Sequence, residues 1–98
     1  MKMLRNITLG TIALMFSLQA AQAACYADYK AKQDNPLKLH YGVIEIPDNA
    51  CGSKSAAKGT ISKKIGRDGW KLLSVIGIFD KSGLQERKQS AGAFFLKY

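Results

Sequence analysis

The first 23 residues have the pattern of a cleavable export signal, which leaves only 75 of the 98 residues to fold. Lys2 and Arg5 precede an apolar run at positions 7–18, and Ala21-Gln22-Ala23 places small side chains where a signal peptidase recognises them. The run is 12 residues long, whereas a membrane-spanning helix needs about 20. We therefore expect cleavage before Ala24, and a mature protein that resides in the periplasm or is secreted.

Residues 24–98 are enough for one small domain, whose core is marginal at this size. The domain holds two cysteines, Cys25 and Cys51, and an even cysteine number in a short exported chain predicts a disulfide. A redox pair is the first alternative, but the cysteines do not form a Cys-x-x-Cys motif. Lipidation of Cys25 is the second, although Gln22 stands where a lipoprotein signal carries an aliphatic residue.

The charge of the chain is strongly basic, and it stays so after processing. Loss of the two signal cations lowers the net charge from +8 to +6, and 11 of the 13 remaining cations are lysines. A basic surface favours anionic lipid or an anionic envelope polymer as partner, and we expect no nucleic acid to be bound outside the cytoplasm. The candidate anion-binding residues are Lys54, Lys58, Lys63, Lys64 and Arg67.

Alternation of side chains predicts two strands near the start of the mature chain. The segment 26–32 is a candidate strand, and a turn cluster at 33–36 follows it. From Leu37 to Ile46 the second strand alternates, with Leu37, Leu39, Tyr41 and Val43 on one face and Lys38, His40 and Gly42 on the other. Together these segments predict an antiparallel hairpin.

A four-residue period then predicts a helix, because Ala57, Ile61 and Ile65 form one apolar stripe after Ser53, a good N-cap. Strands are predicted over 70–79 and 93–98, with a polar turn-rich stretch at 80–90 between them. The expected fold is α+β, in the order β-β-α-β-β, with one helix on one face of a small antiparallel sheet.

One helix covers only one face of a sheet, yet the two last predicted strands are apolar on both faces. Exposed contiguous apolar surface is typical of an interface, and folding of the 80–90 segment over the open face is the alternative. The candidate interface residues are Trp70, Leu72, Ile76, Phe94, Phe95 and Tyr98.

The segment 61–75 carries the sequence Ile61-Ser62-Lys63-Lys64-Ile65-Gly66-Arg67-Asp68-Gly69-Trp70-Lys71-Leu72-Leu73-Ser74-Val75. It resembles a family of small bacterial domains of unknown function with a helix, then Gly-x-x-Gly-Trp, then an apolar strand. The whole mature chain is similar to short uncharacterised exported proteins of Gram-negative bacteria, as seen in Tyr26-Ala27-Asp28-Tyr29-Lys30, His40-Tyr41-Gly42 and Phe94-Phe95-Leu96-Lys97-Tyr98. The resemblance implies an architecture, with the tryptophan packed near the helix end, and no activity.

No set of residues has the pattern of an active site, and we predict no catalytic residue, metal or cofactor. The single histidine, His40, is expected to be a solvated strand residue. The leading hypothesis is a non-enzymatic, disulfide-stabilised interaction module whose partner is a second copy or an envelope protein. The alternatives are a basic protein that binds a polyanion or anionic lipid, and a small hydrolase or redox enzyme.

Overall fold

The computed structural model describes residues 24–98, which form a three-stranded antiparallel sheet in the order β2-β1-β3 with a helix on each face. The elements are β1 Cys25–Gln33, β2 Lys38–Ile46, α1 Lys54–Gly66, β3 Lys71–Phe79 and α2 Gln85–Ala91, with short 3-10 helices at Asp48–Ala50, Lys81–Gly83 and Gly92–Phe94. The predicted signal peptide, 1–23, lies outside the described residues. Within 24–98, no helix is both long enough and apolar enough to cross a membrane.

The predicted hairpin is confirmed. β1 and β2 pair without interruption from Cys25 opposite Ile46 to Gln33 opposite Lys38. At the turn, Asn35 has a φ of 62°, a left-handed conformation that asparagine tolerates better than most residues. This regular register fixes which side chains share a face.

The predicted helix is confirmed as α1. The Ser53 hydroxyl accepts a hydrogen bond from the Ala56 N–H at 3.1 Å and so caps the first turn. Ala57, Ile61 and Ile65 are fully buried against the sheet. After the helix, Gly69 has a φ of 83°, which glycine adopts without strain and which lets the chain turn into β3.

The core lies between α1 and one face of the sheet, to which β1 contributes Ala27, Tyr29 and Ala31. Tyr29 lies over Gly42 of β2, its partner in the register. A Cβ atom at position 42 would lie 2.5 Å from the Tyr29 hydroxyl oxygen. The glycine therefore makes the space that the tyrosine ring occupies.

β3 is confirmed, but its side chains do not alternate regularly between the two faces of the sheet. Two irregularities in the β1–β3 register leave Leu73 and Ile76 without a partner residue in β1. As a result Leu72, Val75 and Ile78, three residues apart, pack against the core. Each bulge adds one residue and reverses the following alternation, so Leu73 and Ile76 are turned outward.

The predicted order β-β-α-β-β is wrong, because the segment 80–90 holds a second helix, α2, on the other face of the sheet. Its inward positions are Leu84, which precedes it, Arg87 and Ala91. The spacing of these positions is helical, but the stripe holds only one large apolar side chain. The sequence pattern was therefore typical of a loop. The α+β class itself is confirmed.

The predicted last strand, 93–98, is also wrong. Gly92 and Leu96 have φ values of 53° and 54°, which interrupt extended backbone. Between them, Phe95 makes a single bridge to Val43, and the Leu96 N–H donates to the Val43 carbonyl at 2.8 Å. The C-terminal segment is thus a short irregular tail held against the outer edge of β2.

Candidate functional site

His40 is buried, so its expected exposure to solvent was wrong. Its ring lies parallel to that of Phe94 at a centroid distance of 3.6 Å and edge-on to Trp70 at 4.2 Å. A hydrogen bond of 2.9 Å joins its Nε2 to the hydroxyl of Tyr29. The sequence placed His40 beside Lys38 and Gly42, and the aromatic residues that cover it come from distant parts of the chain.

This packing favours the neutral imidazole. Burial, and secondarily the charge of Lys97, lowers the pKa of His40. Its Nδ1 is buried and has no hydrogen-bond partner among residues 24–98. Burial also raises the pKa of Tyr29 far above its ordinary value. With Nε2 engaged by Tyr29 and the ring packed against Phe94 and Trp70, His40 is a core residue rather than an accessible base.

A second polar cluster lies on the other face of the sheet, beneath α2. The Asp28 carboxylate accepts hydrogen bonds on one oxygen from the Arg87 Nε at 3.1 Å and the Tyr41 hydroxyl at 2.8 Å. The Arg87 guanidinium lies 4.0 Å above the Phe79 ring and donates to the Gly83 carbonyl. Burial and the bond to Asp28 raise the pKa of Tyr41 to about 12. The cluster attaches α2 to β1.

Sequence reasoning missed the Asp28–Arg87 pair, although both residues are visible in the sequence. They are 59 positions apart, and only the return of α2 over the sheet brings them together. A single acid within an otherwise apolar or small-residue strand segment was the one available signal.

The five candidate anion-binding residues do not form one cluster. Lys54 and Lys58 line a shallow cleft of about 370 Å³ next to Leu73. Lys64 and Arg67 line another, of about 320 Å³, with Lys97 and Tyr98 at the opposite end of α1. Lys63 is exposed on the helix between them. No local pattern indicates that Lys97 joins the second group, because it lies 30 positions or more from Lys64 and Arg67 in the chain.

The six candidate interface residues are also divided. Trp70, Leu72 and Tyr98 pack against the core, and Phe94 stacks on His40. Phe95 bridges to Val43 and is half-buried. Ile76 is the exposed member, because the second bulge turns it outward.

The large apolar side chains with the highest exposed fraction lie instead around the tip of the β1–β2 hairpin. Leu37 and Leu39 are 65% and 66% exposed, and the bulged Leu73 is 48% exposed. Lysines surround these leucines, and we call the whole set the hairpin-end surface: Leu37, Leu39, Leu73, Lys30, Lys32, Lys38 and Lys71. A shallow cleft of about 320 Å³ between Leu39 and Leu73 is also lined by Lys30, Ala31, His40 and Tyr41.

The predicted disulfide is present and joins Cys25 to Cys51. It ties the start of β1 to the turn after β2. Asp48 lies close to both sulfur atoms, but the sulfurs are bonded to each other and supply no thiolate to a metal ion.

No protein-family model, curated protein or solved structure matches this chain. The resemblance of 61–75 to a domain family therefore stays a prediction. The case for function rests on the arrangement of the described residues.

Proposed function

We propose that this protein is an exported, disulfide-stabilised module that acts by binding another component of the cell envelope and not by catalysis. The observation that carries the proposal is the exposure of Leu37, Leu39 and Leu73 at one end of the sheet. Clustered apolar side chains in water are unfavourable for a free protein and are typical of a binding surface.

The two polar clusters support a binding role, because both have a structural explanation. His40 is enclosed by aromatic rings, and Asp28 is occupied by Arg87 and Tyr41. His40 lines the cleft between Leu39 and Leu73, but its Nε2 is bonded to Tyr29 and its Nδ1 is buried. Neither residue is therefore available as a nucleophile or as a general base. The disulfide and the N-terminal pattern support export, since such bridges persist in oxidising compartments.

Because α2 covers the second face of the sheet, that face is not available as a binding surface. α2 occupies the face of the sheet that was expected to be open, and most of the candidate interface residues are packed against the core or against His40. Self-association would then use the outer edge of β3, where Ile76 and Leu73 are exposed. Association with a different envelope component would use the hairpin-end surface.

Site-specific photo-crosslinking in the host tests the proposal. A photoreactive residue at Leu39 is expected to form a specific adduct, whereas the same residue at the exposed Lys63 forms none. An adduct of twice the chain mass indicates that a second copy binds the hairpin-end surface instead of the β3 edge, and any other mass indicates a different partner. Equal labelling at both positions, or a free monomer at both, would overturn the proposal.

A second candidate is binding of an anionic polymer, favoured by the convergence of Lys64, Arg67 and Lys97 in one cleft. The acid in that cleft, Asp68, accepts a hydrogen bond from the Tyr98 hydroxyl. Such binding depends on screened charges and must weaken steeply between low and physiological salt. Retention on an acidic polysaccharide that is independent of salt concentration would exclude it.

A further inference from the structure

The hairpin-end surface has the composition of a membrane-docking surface. In the sheet register Lys32 lies opposite Leu39 on one side and opposite Lys71 on the other, so apolar and basic side chains share one row. Lys38, opposite Gln33, projects from the other face of the hairpin next to the turn, and Lys30 lines the cleft between Leu39 and Leu73. Three exposed leucines thus lie among four lysines.

Negative charge is sparse at the same end of the molecule. Asp68 lies beside the turn, where its carbonyl accepts a hydrogen bond from the Gln33 Nε2 and its carboxylate accepts one from the Tyr98 hydroxyl. Within 30–41 and 71–74 the single acidic residue is Asp34, and it pairs with Lys32 at 3.4 Å. Lys30, Lys38 and Lys71 are exposed. Because the leucines are surrounded by unneutralised cations, a fitting partner offers both an apolar layer and dense negative charge.

The position of α2 leaves this end of the sheet open. α2 is attached through Arg87 to Asp28, in the half of the sheet farther from the hairpin turn. Leu39 is exposed, so neither α2 nor the C-terminal tail covers it. The bulge in β3 adds Leu73 to the same surface, because Leu73 has no partner residue in β1 and is turned outward.

We infer that the hairpin-end surface docks on an anionic lipid bilayer, with Leu37, Leu39 and Leu73 among the upper acyl chains and the lysines against the headgroup phosphates. In an interfacial protein, apolar side chains insert among the acyl chains while cations contact the anionic headgroups. A second copy is a poorer occupant, since identical surfaces would place lysines against lysines. The inference rests on the proposed function and names the partner of that surface.

Vesicle co-sedimentation tests the inference with the disulfide-bonded protein purified from its host and its mass determined. Vesicles of phosphatidylglycerol and phosphatidylcholine in equal parts are compared with vesicles of phosphatidylcholine alone. We expect binding to the mixed vesicles, at least tenfold weaker binding to the neutral ones, and a loss of affinity when salt is raised.

Variants at the surface distinguish it from the rest of the molecule. Lys38→Glu and Lys71→Glu are each expected to weaken binding about fivefold or more, since one lysine near an anionic membrane contributes about that factor. Leu37→Ser with Leu39→Ser is expected to weaken it at least tenfold. The matched controls are Lys63→Glu on α1 and Leu96→Ser in the tail, both expected to change it less than twofold. All variants carry the same N-terminus, so any contribution from 1–23 cancels.

Three results would overturn the inference: no binding to mixed vesicles, equal binding to neutral vesicles, or equal losses in the surface and control variants. If the Leu39 photo-crosslink then still forms with a protein, the surface binds an acidic, amphipathic protein and the proposed function stands. If no adduct forms either, both proposals fail.

Discussion

The imidazole of His40 lies parallel to the ring of Phe94, with the centroids 3.6 Å apart and the planes at 6°. His40 belongs to β2 and Phe94 to the C-terminal tail, so this contact joins the tail to the core. Trp70 contacts the ring edge-on, the Tyr29 hydroxyl bonds to its Nε2, and the charge of Lys97 contributes to lowering its pKa.

The first prediction concerns the pH dependence of stability. Because the folded protein lowers the pKa of His40 below the unfolded value of about 6.5, the unfolded chain binds more protons just below that pH. The free energy of unfolding is therefore expected to be constant above pH 6.5 and to fall as the pH decreases from there toward the folded pKa. Urea titrations between pH 4.5 and 8 measure it.

His40→Gln is the matched variant, because glutamine is polar and does not titrate. Its stability is expected to change less across the same pH range than that of the unchanged protein. If both proteins lose stability in parallel below pH 6.5, the buried histidine is not the cause.

The second prediction concerns two glycines with opposite environments. Gly42→Ala would place a methyl group against the Tyr29 ring and is expected to lower the free energy of unfolding by about 1–3 kcal/mol. Gly59→Ala, in the open middle of α1 with nothing within 4 Å, is expected to raise it by about 1 kcal/mol. Thermal melting of the two variants gives both values, and effects of the same sign would contradict the packing described here.

The third prediction concerns the attachment of α2. Arg87→Ala leaves the buried Asp28 without its cationic partner and is expected to cost about 3 kcal/mol of stability. Glu86→Gln changes the exposed neighbouring charge, which also pairs with Arg87, and is expected to cost less than about 1 kcal/mol. Denaturant unfolding measures the difference, and similar costs for the two variants would show that Asp28 does not depend on Arg87.

The fourth prediction concerns the Cys25–Cys51 bridge, which joins two cysteines 26 positions apart in the chain. Its removal by Cys25→Ala with Cys51→Ala is expected to lower the free energy of unfolding by about 3 kcal/mol, mainly through the entropy of the unfolded chain. Melting with and without reductant checks this result. The unchanged protein responds to reductant and the double variant does not; a response of the double variant would point to another cause.

Local patterns were sufficient for the hairpin, for α1 and for the disulfide. Alternation from Leu37 to Val43 indicated β2, and the spacing of Ala57, Ile61 and Ile65 indicated α1. These two signals each lie within about a dozen residues, and the cysteines needed only to be counted. The apolar stripe of α1 is the part that the core buries, whereas β2 contributes Ile44 and Ile46 to the core and leaves Leu37 and Leu39 exposed.

The candidate site was less predictable, because its environment depends on register and on distant residues. Alternation grouped Leu37 and Leu39 with Tyr41 and Val43, but it did not indicate which part of that face α2 covers. The alternation pattern also did not indicate the bulge that exposes Leu73, because one added residue cannot be recognised in a strand that is apolar on both faces.

The sequence by itself determined the α+β class, the hairpin, the first helix and the pairing of the two cysteines, because periodicity, capping residues and cysteine number are local or countable properties. The tertiary structure alone decided that His40 is buried, that α2 covers the second face and that the leucines at the hairpin end stay exposed. These outcomes depend on contacts such as His40 with Phe94 and Asp28 with Arg87, whose members lie more than 50 positions apart. Only the folded arrangement of the whole domain brings such residues together.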